Sequence, residues 1–347
     1  MTASEISNVM YPFSHQIESL SEMRGNIMTS ILTWQSRSNW SQTLWFLLFI
    51  SGVSAAGPVA RNECANPPPG TIFCEDFEGT NPKAHFDDYD GNPDSENQVV
   101  TDSGPAGDAS NKAVRFRVPA GQSGTSDLIK VLSSSYDKLF ARWYIKYEPG
   151  FNFAALNHGG GLAAGDRNYV GSSGNRPNGN DFAWFGVQYQ ENTSKPYVYS
   201  YYRGMYQDCV AQGSCYGDSL PCVYDTGGAY CTKAQHRPTA PLPTFQAGQW
   251  YCVEEMIDMG TPTATGTSAN GGLTLWLDSQ VVGTYQDLWI RTTTALKIQS
   301  LWLALFHHDG THSVVGELVD NVVVSTQRVG CGATQQLNAP TNLRILN

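Results

Sequence analysis

The sequence predicts an all-β fold, a two-sheet antiparallel β-sandwich with long loops held by disulfides. Three observations carry that expectation. Polar and apolar residues alternate with a period of two over short stretches such as Ala113 to Pro119 and Leu139 to Tyr147, the pattern of strands with two unlike faces. No stretch shows a convincing amphipathic helical period. The 34 glycines and 18 prolines separate the alternating stretches with turns. With 347 residues, 41% hydrophobic and only 15% charged, the chain can build one large β domain or two small ones.

Residues 1–57 read as a signal peptide with an upstream extension. The apolar run Leu44 to Val53 follows Arg24 and Arg37 and precedes Ser54-Ala55-Ala56-Gly57. It is too short to span a bilayer, and its flanks are those of a secretory leader and its cleavage site. Met28 is an alternative start, and an uncleaved membrane anchor is the rival reading. The protein is therefore expected to be secreted or periplasmic, with no stable membrane insertion after cleavage. All eight cysteines, at positions 64, 74, 209, 215, 222, 231, 252 and 331, lie beyond this run. An even count in an exported chain points to disulfides. Cys64 with Cys74 would staple the mature N-terminus, Cys252 with Cys331 would join distant strands, and the middle four would pin one loop. A zinc site is the alternative, but no C-x-x-C pair is present.

The domain proper is expected over residues 58–335, followed by a tail or linker at 336–347. Thr71 to Phe77 reads as a short strand ending in acidic residues, and 80–112 as polar loops with one short strand. Leu139 to Tyr147 puts Phe140, Arg142, Tyr144 and Lys146 on one face. Residues 148–180 form a glycine-rich excursion that contains His158 in N-H-G-G-G-L, and long ordered loops are often functional. Phe182 to Gln190 aligns Trp184, Gly186 and Gln188. In Lys195 to Cys209, Tyr197, Tyr199, Tyr201 and Arg203 share a face that suits sugar rings. An ordinary tyrosine-rich strand is the plain alternative. Residues 208–245 are a cysteine-rich insertion without period. Gln249 to Met259 resumes the alternation, and Leu273 to Leu277 with Gln280 to Tyr285 reads as a hairpin around Asp278-Ser279. Lys297 to His308 carries Trp302, Ala304, Phe306 and His308 on one face. Glu317 to Thr326 closes the domain.

A formal net charge of -10 without a lysine–arginine cluster argues against a nucleic-acid partner. A polysaccharide partner and a monomer are expected instead. No nucleophile elbow, phosphate loop or dinucleotide fingerprint occurs. His307, His308 and His312 invite a metal, but neighbours on a strand point to opposite faces and cannot easily share an ion.

The stretches C-E-D-F-E-G, L-F-A-R-W-Y-I-K-Y, W-Y-C-V-E-E-M, L-W-L-D-S-Q and V-D-N-V-V-V-S-T together resemble concanavalin A-like jelly rolls. More narrowly, they are similar to exported bacterial polysaccharide lyases of the alginate-lyase type. Y-Y-R-G-M-Y-Q is similar to the Y-F-K-A-G-x-Y-x-Q strand of family-seven alginate lyases, which puts Tyr201, Arg203 and Tyr206 in its substrate-facing roles. The Q-I-H and R-T-E-L-R motifs of those lyases are absent as such. The resemblance implies β-elimination from a uronic acid, which needs a carboxylate neutraliser, a base and an acid. Arg142 and Arg203 suit the first role, His158 the second, and Tyr206 or Tyr201 the third. Tyr144, Lys146, Trp184, Gln188, Tyr199, Trp302 and His308 would line the groove. For His158 the alternative is a loop histidine bonded to nearby backbone, and for the arginines it is surface ion pairs.

The resemblance implies no cofactor for catalysis and a structural calcium at Glu78 and Asp320; hard oxygen donors suit that ion. Alternatively, Asp320 only terminates a strand pair. Two other functions compete with the lyase, a non-catalytic carbohydrate-binding jelly roll and a glycoside hydrolase with an unrecognised carboxylate pair. The paired carboxylates of a hydrolase are not evident, because Glu254 and Glu255 face opposite ways.

Overall fold

The computed structural model describes residues 61–332 except 91–95, 172, 206–214, 225–229, 232, 309, 311 and 313. The described strands are β1 Thr71–Glu75, β2 Asp88–Asp90, β3 Asn97–Thr101, β4 Lys112–Phe116, β5 Gly124–Tyr136, β6 Lys138–Tyr147, β7 Asn157–Gly165, β8 Phe182–Tyr189, β9 Pro196–Tyr201, β10 Asp218–Leu220, β11 Trp250–Asp258, β12 Gly271–Leu277, β13 Gln280–Leu288, β14 Ile298–His307 and β15 Glu317–Ser325. They form two antiparallel sheets. Sheet A has the order β13-β12-β11-β6-β15-β4-β3, with β1 also paired to β15, and sheet B has the order β10-β9-β8-β7-β14-β5-β2. The expected sandwich is present, as is the hairpin, where Asp278 and Ser279 both take positive φ (50° and 68°) as a tight two-residue turn requires.

The period-two alternation builds the core. Leu139, Ala141, Trp143, Ile145 and Tyr147 of β6 join Phe185 and Val187 of β8 and Leu301, Leu303 and Leu305 of β14 in one buried cluster. Fully burying each large side chain contributes roughly 1.5–3 kcal/mol. Three disulfides are described, Cys64–Cys74, Cys222–Cys231 and Cys252–Cys331. Two of them are the pairs expected at the ends of the domain, and the third lies within the insertion. Such bridges suit an oxidising compartment. Among the described residues no helix is long and apolar enough to cross a membrane. The expected leader and tail lie outside the described residues.

The glycine-rich excursion is not all loop, because its middle is β7, a strand inside sheet B. A Cβ at Gly159, Gly160 or Gly161 would lie 2.0 Å from the carbonyl oxygen of Val187, Trp302 or Phe185 respectively. Only glycine permits that approach. Here the pairing of β7 with β14 shifts register between Trp302 and Leu305, and the Leu162 N–H turns into the core. It donates to Glu255 Oε1 at 2.5 Å. Glu255 is fully buried and burial pushes its carboxyl well above the usual range.

A second correction concerns Arg142, Tyr144 and Lys146. Their shared face is as expected, but β6 lies in sheet A between β11 and β15, and this face points away from the core and from sheet B. The terminal segments cover it. Arg142, 1% exposed, donates to the Asn321 carbonyl at 2.6 Å and ion-pairs with Glu63. The Tyr144 hydroxyl accepts from the Gly332 N–H at 3.0 Å, and burial pushes its pKa up to about 12. Lys146 ion-pairs with Asp102. Glu254, on the same face, accepts from the N–H groups of Val329 and Gly330 at 2.8 and 3.2 Å. None of these groups reaches sheet B's outer surface.

Breaking a buried ion pair leaves a charge without compensation and costs about 3–5 kcal/mol. Arg142→Ala is expected to lower unfolding stability by about 3 kcal/mol at the low end of that range, read by denaturant titration. A stability within 1 kcal/mol of wild type, as for a surface pair, would contradict this structural role.

Candidate active site

The outer face of sheet B collects the aromatic residues of β8, β9 and β14. Trp184 lies opposite Tyr201, Gly186 opposite Tyr199 and Gln188 opposite Tyr197. Phe306 lies opposite His158 on one side and Thr125 on the other. These pairings put Trp184, Tyr201 and Trp302 towards one end of the face and His158, Gln188, Tyr197, Phe306 and His308 towards the other. Tyr199 sits between the two groups. Its ring stacks on the imidazole of His158 at 5.0 Å with planes 9° apart, while Trp184 stacks on Tyr201 at 4.5 Å. Trp302 meets Trp184 edge to face, and its indole N–H donates to Asp127 at 2.9 Å.

His158 has a defined polar setting. Its Nδ1 is 3.0 Å from Gln188 Oε1 and its Nε2 is 2.6 Å from His308 Nε2. Burial pushes its pKa down to about 4, and the neighbouring His308 adds in the same direction. His158 is thus neutral at physiological pH, the form in which an imidazole accepts a proton. Behind it, the Gln188 amide donates to the Tyr197 hydroxyl. Tyr197 and Tyr224 hydroxyls are 3.1 Å apart, and Tyr224 donates to Glu191 at 2.7 Å.

The other expected residues divide. Tyr201 is fully buried; its hydroxyl donates to the Cys215 carbonyl at 2.8 Å and accepts from the Gly174 N–H at 3.3 Å. It fastens the insertion and the 171–180 loop to β9 and has no proton to spare for a leaving group. The Tyr199 hydroxyl accepts from the Gly217 N–H at 3.1 Å and lies 3.3 Å from that of Tyr201. Burial raises the pKa of both phenols. Arg203 lies past the Tyr201 end of β9, away from His158. Its guanidinium stacks over Trp289 at 4.6 Å, and its carbonyl accepts from Arg176 at 3.1 Å. Tyr206 lies outside the described residues. His308 joins His158, whereas His307 stacks on His312 at 4.1 Å from the other face of β14.

Sequence reasoning missed Asp127, Glu191 and Tyr224. Asp127 stands in β5, whose Thr125, Asp127 and Ile129 alternate and give a usable signal. Tyr224 belongs to the aperiodic insertion and Glu191 to a turn, so neither carried one.

Glu78 and Asp320, the expected calcium ligands, lie close enough that the Glu78 charge raises the pKa of Asp320. Burial is the larger cause, and the value reaches about 8. Among the described residues no group of three or more His, Cys, Asp or Glu side chains is arranged to hold a metal. An amide supplies a further donor. Asn111 Nδ2 donates to Asp320 Oδ2 at 2.9 Å, which leaves Asn111 Oδ1 buried without a hydrogen bond. Arg61 pairs with Glu78 Oε2 at 2.6 Å, and the Lys112 N–H donates to Oε1 at 3.1 Å. All four carboxylate oxygens of Glu78 and Asp320 thus accept hydrogen bonds within the protein, from Arg61, Lys112, Asn111 and Asn321, so a calcium there would have to displace some of them.

No protein-family model matches the chain, and no curated protein matches it in sequence. Solved structures do. The marine PL-14 alginate lyase of Aplysia kurodai superposes with a TM-score of 0.53 at 14% identity, covering 74% of this chain and 99% of that one. An alginate lyase from a Chlorella virus gives 0.50 at 15% identity over 70% and 93%. The endo-β-1,4-glucuronan lyase of the fungus Trichoderma reesei gives 0.47 at 14% identity over 74% and 96%. At these identities the likeness is one of fold, and the sandwich described above is the fold of the two alginate lyases.

Proposed function

We propose that the protein is a polysaccharide lyase-like enzyme that cleaves a uronic-acid polymer by β-elimination over the outer face of sheet B. The observation that carries this reading is the neutral His158 in contact with His308 on an aromatic floor. A neutral imidazole is a competent base for the C5 proton once the polymer displaces the His308 N–H from its lone pair at Nε2. His158 then takes the C5 proton, and the freed N–H of His308 gives its own proton to the leaving glycosidic oxygen, which departs as the C4–C5 double bond forms. Tyr199 is buried against His158 and only supports its ring, while the partly exposed ring of Phe306 beside them offers a face on which a sugar can stack. Arg203, with no ion pair among the described residues, suits a uronate carboxylate further along the polymer. The fold shared with the alginate lyases supports the same reading.

The test is incubation of the mature chain with alginate, polyglucuronate and pectate while ultraviolet absorbance of unsaturated ends is followed. His158→Gln is expected to lower kcat at least a hundredfold, the scale of general acid–base catalysis, with an unchanged melting temperature. Silence on all three polymers would remove the lyase reading. One observation favours the alternative of a binding module, namely that the Tyr199 and Tyr201 hydroxyls are engaged within the fold. Polymer retention in an affinity gel without new unsaturated ends would decide for it.

The pH profile supplies a second test. A base with an ordinary histidine pKa loses activity as pH falls through about 6.5, but His158 holds off its proton until about 4. The acid limb of kcat/KM is therefore expected nearer 4 than 6.5. A limb near the ordinary value would assign the base to another group.

A structural calcium held by Glu78, Asn111 and Asp320 belongs to the same proposal, supported by the buried Asn111 Oδ1 that lacks a hydrogen bond. A calcium concentration a hundredfold above Kd is expected to stabilise the fold by about 2.7 kcal/mol, seen as a raised melting temperature that chelator reverses. Asp320→Asn should abolish the shift. Superimposable melts with calcium and with chelator would dismiss the site.

A further inference from the structure

The contacts behind His158 form one continuous chain with a single permitted direction. It ends at Glu191, and an ionised carboxylate only accepts hydrogen bonds. Tyr224 must therefore donate its one proton to Glu191, across 2.7 Å. The Tyr224 oxygen then accepts from Tyr197 across 3.1 Å, which uses the only proton of Tyr197. With that proton committed, the Tyr197 oxygen accepts from the Gln188 NH2 group. The amide orientation is thereby fixed, and its carbonyl faces His158 Nδ1 at 3.0 Å. A carbonyl only accepts, so Nδ1 carries the hydrogen and Nε2 the lone pair, which accepts from His308 across 2.6 Å.

We infer that Glu191 and Tyr224 are positioning residues which, through Tyr197 and Gln188, hold His158 in the Nδ1–H tautomer with its basic Nε2 turned to His308. The inference rests on the reading of His158 as the base, but the tautomer itself is a property of the free protein. Tyr224 belongs to the segment closed by Cys222–Cys231, so the insertion takes part in setting the base. Without Glu191 to take it, the Tyr224 proton turns to the Tyr197 oxygen, and without an oxygen at position 224 Tyr197 has no acceptor there; in either case the buried Tyr197 hydroxyl turns its own proton towards Gln188. The amide then reverses, presents NH2 to Nδ1 and selects the opposite tautomer.

The experiment is nitrogen-15 NMR of the imidazoles in the free, full chain. The wild type should show His158 predominantly as the Nδ1–H tautomer. Tyr224→Phe and Glu191→Leu should move it to Nε2–H, whereas Glu191→Gln, which keeps an acceptor oxygen, should restore the wild-type ratio. If an active polymer is found, the first two variants should lose roughly a hundredfold in kcat with KM unchanged, the kind of loss a wrong tautomer causes. Glu191→Leu, at a partly exposed turn, keeps the test open should Tyr224→Phe disturb the insertion. An Nε2–H tautomer in the wild type, or a ratio that neither variant alters, would overturn the inference whatever the outcome of the polymer screen. A wild-type Nδ1–H tautomer that shifts as described, in a protein silent on every polymer, would uphold it and remove only the lyase reading.

Discussion

The sandwich depends on a piece of strand that has no side chains. Gly159, Gly160 and Gly161 press their Cα atoms to where a Cβ would meet neighbouring carbonyl oxygens at 2.0 Å. That approach breaks the register of β7 against β14 and turns the Leu162 N–H out of the ladder. A buried N–H without a partner costs about 1–3 kcal/mol, so the core must supply an acceptor, and Glu255 from sheet A supplies it. One bend in sheet B thus ties the two sheets together by a polar contact inside the core. His158 is the residue immediately before the bend. Its place opposite Phe306 and beside Gln188 follows from the glycine run and Glu255.

The two outer faces of the sandwich are covered in different ways. Sheet A carries Arg142, Tyr144, Lys146 and Glu254 outward, but chain ends stapled by Cys64–Cys74 and Cys252–Cys331 lie over them. Their charges are consumed in ion pairs and in contacts to backbone. Sheet B carries mostly neutral aromatic groups outward, and His158 meets His308 at one end. The segments around Glu63 and Val329 cover charged groups on sheet A, whereas on sheet B Trp184, Tyr197, Tyr199, Tyr201 and Trp302 are themselves buried and the accessible end is that of His158, Phe306 and His308.

Much of this was legible in the sequence, strand by strand. The faces of β6, β8, β9 and β14 follow from alternation, as does the hairpin from Asp278-Ser279, because each depends on residues adjacent in the chain. Which sheet a strand joins depends on pairing across long separations, and β6 and β8 look alike in sequence. Arg142 and Gln188 are accordingly both expected at the groove, yet they occupy opposite sheets. The glycine run misled for a related reason. Glycine signals a loop when read locally, yet here it serves the close approach of three strands. Tyr224 carried no signal at all, because disulfides rather than periodicity give its segment order.

The remaining choice in the groove is why an amide, rather than a carboxylate, faces His158. The protein does place carboxylates directly against histidines elsewhere, as where Asp287 lies 2.9 Å from His236. A carboxylate at hydrogen-bond distance favours the imidazolium, and an imidazolium cannot serve as a base. Gln188 orients the ring without adding charge. Glu191, separated from His158 by three uncharged side chains, fixes the direction of every hydrogen bond between them while its own charge stays remote. Orientation and basicity are in this way supplied by different groups, and His158 keeps a neutral ring with a defined lone pair.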